Sequence, residues 1–280
     1  MLRWYADNSE LRGIWDAPIP DILIYGGYAV EDTAAADIHS IIKRIKSGYR
    51  PEADFPFKWN FRDLSDYYHE HQLDGLYNTL LAETQQWRTD LFRFISDVDI
   101  KLIASIIKCH SRERNILLDT RETVTRFVFS NALMRIGLLA QDTSPGRVEL
   151  VLDWPGDEQR NLFNEEYRTA YYLGTTAHYP QGYFCGALKD LGFADSLLFS
   201  CTIESSLLQF SDLVVGALRE LADVALGRRE DALGISLLRL IRDKFRGAPE
   251  DIIGRGISIA PPRSEFYSIM ASRIPSLLFS

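Results

Sequence analysis

The 280 residues carry 46% apolar and 25% charged side chains, the balance of an ordinary globular protein and not of a disordered, collagenous or disulfide-scaffold chain. With 39 acidic against 31 basic residues the net charge is -8, which excludes sliding on nucleic acid through a broad positive surface while leaving room for a local basic groove. The three cysteines, Cys109, Cys185 and Cys201, form neither a Cys-x-x-Cys pair nor an even set, so no disulfide framework or thiolate zinc site is expected and a reducing cytoplasm fits best.

Charged residues at Arg3, Asp7, Glu10 and Arg12 interrupt any apolar leader. No run of about 18 apolar residues reads as a membrane span.

In chain order, Met1 to Asp7 is expected as a short strand with Asp7 at its end, before a polar Asn8-Ser9-Glu10 turn. Asp21 to Val30 reads as a strand buried on both faces, with Gly26-Gly27 as a bulge or a close backbone approach. Thr33 to Lys46 predicts a helix bearing Ile38, Ile41, Ile42 and Ile45 on one stripe, capped by Asp32 or Thr33. A loop from Gly48 to Asn60 holds Phe57-Lys58-Trp59-Asn60. Arg62 to about Ser96 predicts one long or two shorter helices, and Ile100 to Lys108 a strand.

Thr120 to Leu139 follows as a helix. Val148 to Asp153 is the clearest strand, Glu158 to Tyr172 a helix, Gly174 to Gly186 a polar and aromatic loop, Ser196 to Ile203 a strand and Ser205 to Ala225 a helix. Asp231 to Phe245 reads as an amphipathic helix before an irregular tail. Strands alternating with helices argue for one α/β domain over residues 1–280, with a helical insertion at about 62–96 and a helical extension at about 226–280.

Three acids fall where an α/β sheet could bring them together: Asp7, Asp153 and Asp212. A carboxylate cluster of that kind suits Mg²⁺ or Mn²⁺, and a pair of such ions can position a water and stabilise the leaving oxygen in phosphodiester cleavage. The plain alternative is solvated turn aspartates and helix caps. Ser205, Gln209, Asp212 and Gly216 share one helix face at steps of four, three and four. It lies opposite Leu207, Phe210, Val214, Leu218 and Leu221. Gly216 costs about 1 kcal/mol against Ala in a helix interior, so either a group approaches closely there or the face is ordinary solvent surface.

Tyr5-Ala6-Asp7-Asn8-Ser9, Gly26-Gly27, Phe57-Lys58-Trp59 and above all the stretch Glu204 to Gly216, with Gln209-x-x-Asp212 inside it, resemble the DUF3800 family over roughly residues 3 to 220. The resemblance implies a ribonuclease H-like mixed sheet flanked by helices, an α/β fold, and a divalent-metal-dependent nuclease acting on RNA or DNA. It further implies that Asp7, Asp153 and Asp212 hold Mg²⁺ or Mn²⁺ and that Lys58 holds a phosphate or orients a carboxylate. Ser9 and Gln209 would support them by hydrogen bonding.

It points as well toward mobile elements or phage defence. Two positions depart from the family pattern: Asn8 stands where an acid is usual and Glu10 where a glycine is. Asn8 could coordinate through its carbonyl oxygen, and Glu10 could supply the missing charge from a rearranged turn.

Other residues have simpler readings. His69-Glu70-His71 places its imidazoles on different helix directions. Asp119 reads as the N-cap of the helix after it, and Cys109-His110 lacks an orienting third group. Arg112, Arg114, Arg121 and Arg126 are either a strip for a phosphate backbone or partners of Glu113, Asp119 and Glu122. Tyr179, Tyr183 and Phe184 either stack on unpaired bases or pack their own loop. A non-catalytic module holding a protein partner, a second copy of the chain or a nucleic acid is the competing expectation. It is motivated by Asn8, the acidic balance and the aromatic region from Arg62 to Phe94.

Overall fold

The computed structural model describes residues 1–13, 19–51, 54–113, 115–179 and 181–280. Strands β1 (Leu2–Leu11) and β2 (Ile22–Glu31) pair antiparallel over ten residues, from Leu2 opposite Glu31 to Leu11 opposite Ile22. Helix α1 (Asp32–Tyr49) follows. A 3-10 turn at Phe61–Leu64 then leads into α2 (Ser65–Glu70), α3 (Asp74–Ala82) and α4 (Thr84–Ile95). After β3 (Ile100–Lys108) come a small hairpin of β4 (Ser111–Glu113) and β5 (Ile116–Leu118), helix α5 (Arg121–Thr143), β6 (Val148–Asp153) and α6 (Asp157–Leu173). The chain closes with β7 (Leu198–Ser200), α7 (Ser206–Ala225), α8 (Leu233–Leu240), α9 (Ile252–Arg255), β8 (Ile257–Ala260) and α10 (Glu265–Phe279).

Six strands form one mixed sheet in the order β7-β6-β1-β2-β3-β8. The central three are antiparallel, while β6 runs parallel to β1, β7 to β6 and β8 to β3. Both faces are covered, which explains why β2 reads as a continuous apolar run. Tyr5, Ile24, Tyr28, Leu102, Ala104 and Ile106 pack toward α1, α4, α7, α8 and α10. Trp4, Ala6, Leu23, Tyr25, Ile103 and Leu152 pack toward α5 and α6. Since side chains alternate along a strand, Asp7 shares the α7 face with Tyr5, and Asp153 shares it with Val151.

Several expectations change. β1 does not turn at Asn8-Ser9-Glu10 but continues to Leu11, so Asp7 sits in mid-strand opposite Gly26. The buried backbone of β2 needs a hydrogen-bonding partner along its whole length, and that outweighs the polar side chains. Gly26-Gly27 is no bulge but a close approach: a Cβ on Gly26 would lie 2.6 Å from the Ala104 Cα, and one on Gly27 would meet the Tyr5 carbonyl and the Ser211 hydroxyl.

The N-cap of α1 is Glu31, without a side-chain cap bond, because β2 runs straight into the helix; Asp32 pairs instead with Arg3 at 2.7 Å. Thr120, not Asp119, caps α5 by accepting the Thr123 N–H at 3.2 Å. The 62–96 region breaks into a 3-10 turn and three helices, with Gln72 in left-handed backbone at the first break.

The strand expected at Ser196 to Ile203 is only Leu198–Ser200, since the chain beyond it bends to put Thr202 on Asp153. The 231–245 helix shortens to α8 with a 3-10 turn at Arg242–Lys244, and the expected irregular tail contains β8 and α10. The C-terminal region is therefore part of the sheet as well as a helical cover. Among the described residues no helix is long and apolar enough to cross a membrane.

Candidate active site

Three acids distant in sequence meet beneath α7. The last registered pair between the parallel strands β1 and β6 is Ala6 opposite Leu152, so Asp7 and Asp153 are the next residues along neighbouring strands, which run roughly 4.8 Å apart. Helix α7 crosses the same face and is anchored there by Ser211, whose hydroxyl donates to the Tyr5 carbonyl at 2.6 Å. One helical step further, Asp212 enters the cluster. Asp7 and Asp212 are buried and Asp153 is half-buried.

The segment before the first 3-10 turn closes the site. The Phe57 N–H donates to Gln209 Oε1 at 3.2 Å, and the Trp59 N–H donates to Asp212 Oδ2. Lys58, half-buried between these two anchors, is held with its charge close enough to lower the pKa of both Asp7 and Asp212. Gln209 also donates to the Ile203 carbonyl at 3.1 Å. It thus supports the site by tying two loops to α7 rather than by bonding a carboxylate.

The face of α7 expected as either solvent surface or a close-approach site is the latter. Gly216 lies under the Trp59 ring, and a Cβ there would fall 2.6 Å from the Trp59 Cβ and closer still to the indole.

The electrostatics follow from burial and like charge. Burial raises the Asp7 carboxyl well above the usual carboxylate range, and repulsion from Asp212 and Asp153 adds to it; the Asn8 N–H, 2.6 Å from Asp7 Oδ1, and the Lys58 charge act the other way. Burial likewise pushes Asp212 up to about 6 against the pull of the Trp59 N–H, Lys58 and Arg88, with Asp153 adding repulsion. Asp153 Oδ1 accepts both the backbone N–H and the hydroxyl of Thr202, at 2.7 and 2.6 Å. Among the described residues, then, one oxygen of each carboxylate is fixed by a hydrogen bond and the other is left open.

Such a donor set, oxygen only and mutually repelling, fits a hard divalent cation. The fit is one of chemistry and charge rather than of a formed cage: among the described residues no group of three or more His, Cys, Asp or Glu side chains is arranged to hold a metal ion.

Asn8 and Glu10 are placed differently from expectation. Asn8 is exposed and alternates to the α5 face beside Tyr25, Val128 and Phe163, so it serves Asp7 through its backbone and not through its side-chain carbonyl. Glu10 lies on that face too and pairs with Arg121 and, at 3.6 Å, with Arg12; it does not replace the missing charge. Ser9 is half-buried two residues past Asp7 on the same face.

Arg88 and Thr202 were not singled out in the sequence. Arg88, on α4, is 8% exposed. Its guanidinium donates to the carbonyls of Lys58 and Trp59 and stacks at 4.5 Å from the Trp59 ring and 5.1 Å from Trp87. The available signal was an arginine beside Trp87, Leu91 and Phe92 on a helix with few other cations.

No protein-family model matches the chain, and comparison with curated proteins and with solved structures gives no match.

The remaining candidates stay outside the site. His69 bonds Asp74 at 3.0 Å, and His71 donates to the Tyr67 carbonyl at 2.7 Å while stacking on its ring; both are exposed. The Cys109 thiol is buried and pushed up to about 12, which removes it as a nucleophile. Arg126 pairs with Glu122 and Glu165, and Arg121 with Glu10. These two are therefore structural partners rather than a phosphate strip, and Arg114 lies outside the described residues. Tyr183 is buried and Tyr179 stacks on Phe127 of α5, so these two rings pack the loop onto that helix, while Phe184 is exposed.

Proposed function

We propose that the chain is a divalent-metal-dependent nuclease on a ribonuclease H-like scaffold, hydrolysing phosphodiester bonds of RNA or DNA in the cytoplasm. The observation that carries this reading is the meeting of Asp7, Asp153 and Asp212 beneath α7, each with one oxygen fixed and one open, and with Lys58 alongside. The mixed sheet with β1 at its centre and helices on both faces is compatible with that scaffold, as are the Gln209-x-x-Asp212 and Phe57-Lys58-Trp59 motifs.

Asp7, Asp153 and Asp212 would hold Mg²⁺ or Mn²⁺. Bound there, such ions would supply Lewis-acid activation of a water and stabilisation of the leaving oxygen, as in two-metal phosphodiester hydrolysis. The residues of the chain do the rest. Lys58 would place a positive charge against a phosphate oxygen, from a backbone fixed at both neighbours. Thr202, the Asn8 N–H and the Trp59 N–H orient the three carboxylates. Gln209 and Arg88 keep the Lys58 segment on α7.

The test is cleavage of labelled RNA and DNA, single-stranded and duplex, with Mg²⁺ or Mn²⁺, by the wild type and by Asp7→Asn and Asp212→Asn. The reading expects loss of about 10²- to 10³-fold in either variant, the scale on which a single electrostatic contribution to catalysis acts. Undiminished cleavage in both would remove it. A second reading, a non-catalytic module, draws support from the exposed Asn8 side chain; it expects nucleic-acid or partner binding without metal-dependent cleavage.

A further inference from the structure

Asp153 is followed at once by an exposed indole. Trp4, Trp59 and Trp87 are buried, whereas Trp154 is 42% exposed, although burying a large apolar side chain is worth roughly 1.5–3 kcal/mol. The residue is nonetheless held. Its main-chain N–H donates to the Ser200 carbonyl at 2.9 Å, Phe199 meets its ring edge-on at 5.8 Å and 82°, and Pro155 restricts its backbone. Arg160, exposed in the first turn of α6, sets its guanidinium 5.7 Å from the ring centroid. Ile203, 40% exposed, adjoins the Thr202 that orients Asp153.

A rigid, open aromatic ring next to a cation matches the chemistry of an unpaired base and its phosphate, because every base has a π-face and stacking is sequence-tolerant. A duplex keeps those faces inside its own stack. Side chains alternate along a strand, so the indole stands on the α6 face with Phe199 and Arg160 while Asp153 faces α7; a strand with one phosphate at Asp153 reaches the indole by passing over the carboxyl end of β6, which both residues share. We propose that Trp154 and Arg160 form a base-stacking platform across the carboxyl end of β6 from the acid cluster, and that its ligand is single-stranded nucleic acid. The inference rests on the proposed function for what happens to the strand, but not for its binding.

The probes are fluorescein-labelled oligouridylate and oligothymidylate of about 12 nucleotides, within the site sizes of single-strand binders, and a matched duplex, followed by anisotropy in EDTA. The wild type is expected to bind both single strands more tightly than the duplex. Trp154→Ala should weaken single-strand binding about tenfold and Trp154→Phe much less, while Arg160→Ala should lower the slope of log K against log salt by about one. An unchanged melting temperature confirms that these exposed variants fold.

Equal binding by Trp154→Ala, preference for duplex, or no binding by the wild type overturns the inference. Trp154-dependent binding without Mg²⁺- or Mn²⁺-dependent cleavage would instead sink the nuclease reading and leave the platform standing. Aspartate-dependent cleavage of single strands with an unchanged KM in Trp154→Ala would do the reverse.

Discussion

The main-chain N–H of Trp59 donates to the Asp212 carboxylate, joining residues 153 positions apart. That bond, the parallel one from Phe57 to Gln209 and the Arg88 guanidinium on the carbonyls of Lys58 and Trp59 make a three-point clamp. Its purpose in the fold is to seat Lys58 over the carboxylates without using the lysine's own side chain as an anchor.

Removing the guanidinium of Arg88 strands two main-chain acceptors that it now serves. Arg88→Met keeps much of the volume, so the loss is mainly that of hydrogen bonds, about 2 kcal/mol. Urea denaturation should show a lower midpoint with an unchanged slope. Cleavage should fall as well, because Lys58 is no longer fixed. A variant with wild-type stability and activity would show that the clamp is redundant.

Gly216→Ala sets two magnitudes against each other. Helix propensity alone favours alanine by about 1 kcal/mol, but the added methyl falls 2.6 Å from the Trp59 Cβ, and overpacking of a closed site costs about 1–3 kcal/mol. The clash should win, giving a net loss in thermal unfolding measurements and reduced cleavage. Stabilisation by this substitution would mean that Trp59 moves freely and that the segment is not seated on α7.

The buried acids make stability depend on pH. Asp212 has its carboxyl raised from an ordinary 3.8 to about 6, and Asp7 is raised too. The folded state therefore holds these protons after the unfolded chain has released them. Their contribution is present in full below about pH 4 and is lost as pH rises through about 6. In metal-free buffer, Asp212→Asn should be more stable than the wild type at pH 7.5, and that advantage should disappear near pH 4. Equal destabilisation by the substitution at both pH values would contradict the buried-charge account.

Much of this was legible in the sequence, and the exceptions have physical causes. The Gln209, Asp212 and Gly216 face could be read because helical spacing is local, and Val148 to Asp153 because its strand alternates cleanly. The polar Asn8, Ser9 and Glu10 predict a strand end at Asp7, whereas the pairing that extends β1 to Leu11 comes from β2, more than ten residues away. β8 is four residues long, too short to carry a period, and exists because the edge of β3 offers it partners. Arg88 reads as one more helix-surface arginine; only the meeting of α4 with the 57–59 segment buries it. Asp153 was expected to stand at the end of its strand, and its orientation by Thr202 comes from a chain bend that the apolar pattern of Leu198 to Ile203 conceals.

The most direct measurement is a calorimetric titration of Mn²⁺ into the apo protein at pH 7.5, run in parallel on Asp7→Asn, Asp153→Asn and Asp212→Asn. If the three carboxylates form one cation site, the wild type binds with proton release, and each single substitution weakens binding by about tenfold or more, the scale seen even for residues that only support metal ligands. Binding unaffected by any of the three, or a wild type that takes up no Mn²⁺ at millimolar concentration, would contradict it.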